Sequence, residues 1–148
     1  VPFHHPAFAP GSDRDNPKIR ELWKPLLDEF KVDLVLSGHD HTYARTGQVD
    51  ATNLTNVPTG YQQAYDPKIG TVYVVSVSGP KMYAITKGEY AKKFAQDTQL
   101  YQIIHVNERN LEYRAYEATG ELYDTFTLQK RDGMPNLLIE ALPEETRK

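Results

Sequence analysis

The chain has no cysteine, which excludes disulfides and thiolate metal sites and fits either redox compartment. It has no apolar run approaching the roughly 20 residues of a membrane-spanning helix. Nor does it open with the basic-then-apolar stretch of a signal peptide. A cationic excess is missing too: 17 Lys and Arg stand against 20 Asp and Glu, a formal net charge of −3 over 148 residues. Without a basic field, nucleic acid is not the default partner. The length gives room for one domain core.

Histidine is scarce, with five in all, yet four of them fall into two groups. His39 and His41 stand one residue apart, directly after Gly38 and the apolar run Leu34-Val35-Leu36. His4 and His5 follow Val1-Pro2-Phe3 and precede Pro6. Imidazoles at the ends of two buried strands can lean from one sheet edge toward a common point, and imidazole is the commonest metal ligand. An isolated His-x-His pair is a weak signal, but the preceding strand, the glycine and the second histidine group together favour a metal site.

Asn16 and Pro17 form an N-cap and first-turn pair, after which Ile19, Leu22, Trp23, Leu26, Leu27 and Phe30 recur at the spacing of one helical face. This pattern predicts a core helix with Trp23 as a packing residue. Pro25 predicts a kink or break near Glu21 to Leu22. A strand at 33–37 follows, so the strand, helix, strand order suits a parallel pair with histidines at both C-terminal ends, the edge that ligand sites favour. Residues 46–69 have a loop composition and are expected to be either a substrate-facing lid or a surface loop. Tyr61, Tyr65, Tyr73 and Tyr83 read as half-buried strand tyrosines or as stacking partners for an aromatic substrate group. From Gly70 the period becomes two, predicting strands at 71–76, 100–106, 111–116 and 122–128, the last three as an antiparallel meander. His105 lies within one of these strands and reads as structural. Residues 86–97 are expected to form a short helix or irregular crossing. Residues 131–135 are expected to break the strand and lead into a mobile or separately packed tail.

The order His4-His5-Pro6, then Leu22-Trp23-Lys24-Pro25-Leu26-Leu27, then Val32 to Tyr43 with its Ser37-Gly38-His39-Asp40-His41-Thr42 core, resembles the C-terminal half of the calcineurin-like metallophosphoesterases, most closely the purple acid phosphatase branch. The likeness resumes at Gly70 to Gly79 and again at Ala118 to Phe126, similar to the family's closing hairpin; residues 46–69 have no counterpart. It implies an α/β fold, the C-terminal half of a two-sheet sandwich flanked by helices. Residues 1–45 would be the metal-site strands and helix, 46–69 a loop insertion, 70–130 the β-rich part and 131–148 a tail. The missing N-terminal half of the same domain would be the partner. A half-sandwich leaves an unpaired sheet edge and apolar surface, which favours self-association.

The resemblance further implies that His4 and His39 ligate one metal ion and His41 a second, in a centre of two divalent or trivalent ions (Fe, Zn or Mn) that hydrolyses a phosphate monoester or diester. His5 is open: it could orient phosphate, donate a proton, or support a neighbouring ligand from the surface. Tyr43 and Arg45 keep the branch's Tyr and Arg, as substrate contacts or as a packing tyrosine and a solvated arginine; Ala44 replaces its acid. No further histidine occurs in residues 7–14, so Asp13, Arg14 and His5 are left as weak substitutes for the leaving-group acid. The family's Gly-Asp and Gly-Asn-His motifs are absent, and three imidazoles cannot hold two cations together without an anionic bridge. The chain alone is therefore expected to be inactive, with at most weak binding of one ion. The alternative is a non-catalytic binding or scaffold module that keeps the fold and takes at most one adventitious metal. Extracytoplasmic residence is favoured by the resemblance only.

Overall fold

The computed structural model of the protein describes residues 1–49, 70–86 and 90–140. The order of elements is β1 (Pro2–Phe3), α1 (Pro17–Glu29), β2 (Leu34–Ser37), β3 (Tyr43–Val49), β4 (Thr71–Val75), β5 (Lys93–Ala95), β6 (Leu100–Val106), β7 (Asn110–Glu117), β8 (Leu122–Arg131) and β9 (Met134–Ile139). Two sheets result, a mixed one in the order β1-β2-β4-β3-β5 and an antiparallel one in the order β6-β7-β8-β9. β1, β2 and β4 run parallel, whereas β3 is antiparallel to both β4 and β5.

Side-chain alternation along the central strands makes the five-stranded sheet the middle layer. Val35, Ala44, Tyr73 and Val75 pack on one face with Ala7, Phe8 and Leu27 of the α1 side. Their neighbours Leu34, Tyr43, Val72 and Val74 point the other way and meet Leu100, Tyr113, Phe126 and Leu128 of the second sheet. No helix among the described residues is long and apolar enough to cross a membrane.

The inter-sheet core contains a polar bolt. Asp124 of β8 accepts from Arg45 Nε at 2.7 Å, Arg45 Nη2 at 3.0 Å and the Tyr43 hydroxyl at 2.7 Å. Arg45 also reaches Glu140 at 2.7 Å and lies over the Phe126 ring. Burial opposes the Arg45 charge, but the bonds and charge of Asp124 outweigh it and push its pKa upward. Tyr43 is pushed well above its ordinary value by burial, then by Tyr113 and Asp124. Both residues are buried with partners in the second sheet, which matches the packing reading of Tyr43 and makes Arg45 a buried ion-pair residue rather than a solvated one. The carboxylate that orders them sits too far along the chain to be paired with them by spacing.

α1 is one element despite Pro25, and Asn16 turns its side chain to the Arg14 carbonyl instead of capping. The expected core face is inverted for most of its length. Leu22, Trp23, Leu26 and Phe30 are exposed, Trp23 by 53% and Phe30 by 74%. The buried side is Arg20, Lys24 and Leu27, with Arg20 forked onto Asp15 and bonded to the Ala7 carbonyl, and Lys24 paired with Asp28. Aliphatic stems cover the sheet while their charged ends find carboxylates. The apolar stripe instead borders a groove of about 670 Å³ with Phe3, Ile19, Trp23, Leu26, Leu27 and Val32 in its wall, beside the edge strand β1.

Three boundaries also differ from expectation. Residues 46–49 complete β3 rather than opening a loop, and 50–69, with Tyr61 and Tyr65, lie outside the described residues. The stretch 86–97 contributes β5 to the sheet edge. Asp132-Gly133 is a hairpin turn, with Gly133 at φ 68°, so part of the expected tail is β9; Pro135 is tolerated because β9 is an edge strand. The meander β6-β7-β8 forms as expected, and His105 is exposed on β6 opposite Glu112.

Removing one partner of a buried, hydrogen-bonded ion pair strands the other charge. Asp124→Ala should therefore lower unfolding free energy by about 3–5 kcal/mol in denaturant titrations. The Tyr43 phenol favours its neutral form, so the stability it confers is present below about pH 10 and should fall as pH rises past that value.

Candidate metal centre

β1 and β2 end side by side, and the bond from Gly38 N–H to the His4 carbonyl (3.1 Å) ties the two histidine-bearing turns together. The second turn is unusually tight. Asp40 N–H donates to the Gly38 carbonyl at 2.7 Å, and His39 between them has φ 64°. A three-residue turn with a positive φ at a non-glycine residue stores strain and holds its side chain at an angle ordinary loops do not reach.

Asp40 supplies the restraint. Wholly buried, it accepts from Gly11 N–H at 2.8 Å and from the Thr42 hydroxyl at 3.1 Å. A Cβ on Gly11 would meet this carboxylate, with Asp40 Cγ only 2.9 Å away. Asp40 is thus turned into the fold, away from a ligand role.

His4, His5 and His39 come together with ligand atoms all within 4.8 Å of one another. His39 Nδ1 lies 3.2 Å from His4 Nε2. Two nitrogens held about 2.1 Å from one ion are about 3.0 Å apart at a right angle and about 3.4 Å apart at the tetrahedral angle, so this pair has the separation of two ligands of one cation. The His5 ring packs 4.2 Å from that of His39 and 4.9 Å from that of His4. The pKa of His39 is lowered, by desolvation first and then by His5, Arg14 and His4. A ring kept neutral is the form that binds a metal.

His41 stands apart from the three. Its Nδ1 is 2.7 Å from the Lys81 carbonyl, and its ring stacks on Tyr83 at 4.6 Å. Because a carbonyl only accepts, Nδ1 carries the proton and Nε2 keeps a lone pair, which is the tautomer a ligating histidine uses when a backbone carbonyl supports it. Tyr73 is buried in the α1-side core, and Tyr83 packs against the site.

Sequence reasoning gave little weight to Arg14 and none to Lys81 at this site. Arg14 Nη1 lies 3.0 Å from His39 Nε2, its Nη2 donates to the Tyr83 hydroxyl at 3.1 Å, and its guanidinium sits over the Tyr83 ring at 4.9 Å. Lys81 Nζ is over the same ring at 5.3 Å. Tyr83 N–H donates to the His41 carbonyl, which brings in a segment forty residues away that no motif marks. The donor atoms of His4 and His39 fit one cation, and His41 lies outside that cluster. No carboxylate joins the histidine cluster among the described residues.

No family model matches the chain. Two uncharacterized proteins of Mycobacterium tuberculosis, one from strain CDC 1551 / Oshkosh and one from strain ATCC 25618 / H37Rv, are each 33% identical over 86 residues, covering 53% of this chain and 16% of their own length. The structure of purple acid phosphatase PPD1 from yellow lupin (Lupinus luteus) seeds matches with a TM-score of 0.65 at 20% identity, over 88% of this chain and 24% of that one. The chain thus spans only 16% of the length of the curated relatives it matches, and its fold is an α/β sandwich similar to part of that lupin structure.

Proposed function

We propose that this chain supplies the histidine side of a two-metal centre with which the complete protein hydrolyses a phosphate monoester or diester. The observation that carries the reading is the facing pair His39 Nδ1 and His4 Nε2, 3.2 Å apart at the ends of two parallel strands. His4 and His39 would hold one ion, and His41, through Nε2, the other. Such a pair of ions neutralises phosphoryl oxygens and makes water a usable nucleophile near neutral pH. The carboxylates that bridge it would come from a segment outside these 148 residues. That segment would add to the sheet beside β1 and cover the groove along α1, which the exposed Trp23 and Phe30 support. His5, exposed and tilted against the His39 ring at 4.2 Å, would orient phosphate or pass a proton.

In the complete protein, His4→Ala, His39→Ala and His41→Ala should each lower bound metal, read by elemental analysis, and remove most aryl phosphatase activity. His5→Ala should mainly reduce turnover with metal content kept. If His5 governs metal content instead, the roles of His4 and His5 are exchanged.

Residues 1–148 alone should bind at most one divalent ion and turn over no aryl phosphate. The same absence of carboxylates suits the alternative of a non-catalytic binding module. At most one bound metal and no turnover in the complete protein would select that alternative.

A further inference from the structure

Arg14 is a half-buried cation with no carboxylate partner among the described residues. Asp15, the next residue along, is paired with Arg20, and Asp40 accepts from Gly11 and Thr42 through Oδ2. Its guanidinium is held by one ring nitrogen of His39 and by the hydroxyl and face of Tyr83. Lys81 on the same tyrosine ring adds a second positive charge. A planar, permanently charged fork beside a phosphoester site is suited to bind oxyanions.

A guanidinium has five N–H donors, and two of its nitrogens are engaged here, one toward His39 and one on the Tyr83 hydroxyl. Donors therefore remain for an oxyanion while Tyr83 holds the group in place.

We propose that Arg14 is an anion receptor beside the histidine cluster, whose guanidinium, tethered by Tyr83, takes a non-bridging oxygen of the phosphoester. The proposal rests on the metal-centre reading above and assigns Arg14 a charge-neutralising role, not that of a proton donor.

The test uses the complete protein, with Zn²⁺ and inorganic phosphate as probes in calorimetry. Arg14→Gln should weaken phosphate binding to the metal-loaded protein by about 10- to 100-fold. Arg14→Lys should recover part of the phosphate affinity, since it keeps charge without the fork. Tyr83→Phe, which retains the packing and removes only the tether, should weaken phosphate binding several-fold and leave Zn²⁺ affinity unchanged. Unaltered phosphate affinity in Arg14→Gln overturns the receptor role. If His4→Ala and His39→Ala leave bound metal unchanged, the metal-centre reading itself fails, a result distinct from either Arg14 outcome.

Discussion

Asp124 is the carboxylate on which the arrangement of the two sheets depends. It lies on β8, yet its three partner bonds come from β3, the strand that emerges directly from the histidine turn. A buried ion pair of this kind contributes little net stability over well-packed apolar side chains, but it admits one geometry and penalises every other. Fixing Tyr43 and Arg45 fixes where β3 begins. Thr42 and Asp40 come just before that start, and Gly11, in the segment between β1 and α1, closes on Asp40. The imidazoles are therefore positioned by a chain of polar contacts running from the second sheet to the rim of the first.

The parts of this fold legible in the sequence are those governed by short-range rules. The alternation of faces along Leu34 and Val35, and along Val72, Tyr73, Val74 and Val75, follows from the pleat, and a strand buried on both faces shows as a continuous apolar run. The strand, helix, strand order put His4 and His39 at adjacent strand ends, where they are found. The helical stripe illustrates the limit of such reasoning. Periodicity identifies which residues of α1 share a face, but the layer that covers the face is decided by the neighbouring elements. Here charged residues with long stems, Arg20 and Lys24, take the covered side because Asp15 and Asp28 are there to meet them.

Other features were illegible because they join distant positions. Arg45 reads as a surface cation until Asp124, 79 residues on, is brought beside it. Arg14 acquires meaning only when Tyr83 arrives 69 residues later and His39 turns its ring outward. β9 was hidden by Asp132-Gly133-Met134-Pro135, a sequence that stops a central strand but suits a hairpin leading to an edge strand.

The left-handed backbone at His39 has an implication for how this protein tolerates change. A β-carbon at φ 64° costs on the order of 1–2 kcal/mol that glycine would not incur. Glycine at position 39 relieves that strain and discards the imidazole in the same step. Selection for heat resistance alone would thus reward loss of the site, and the histidine would persist there only under selection for what its ring does.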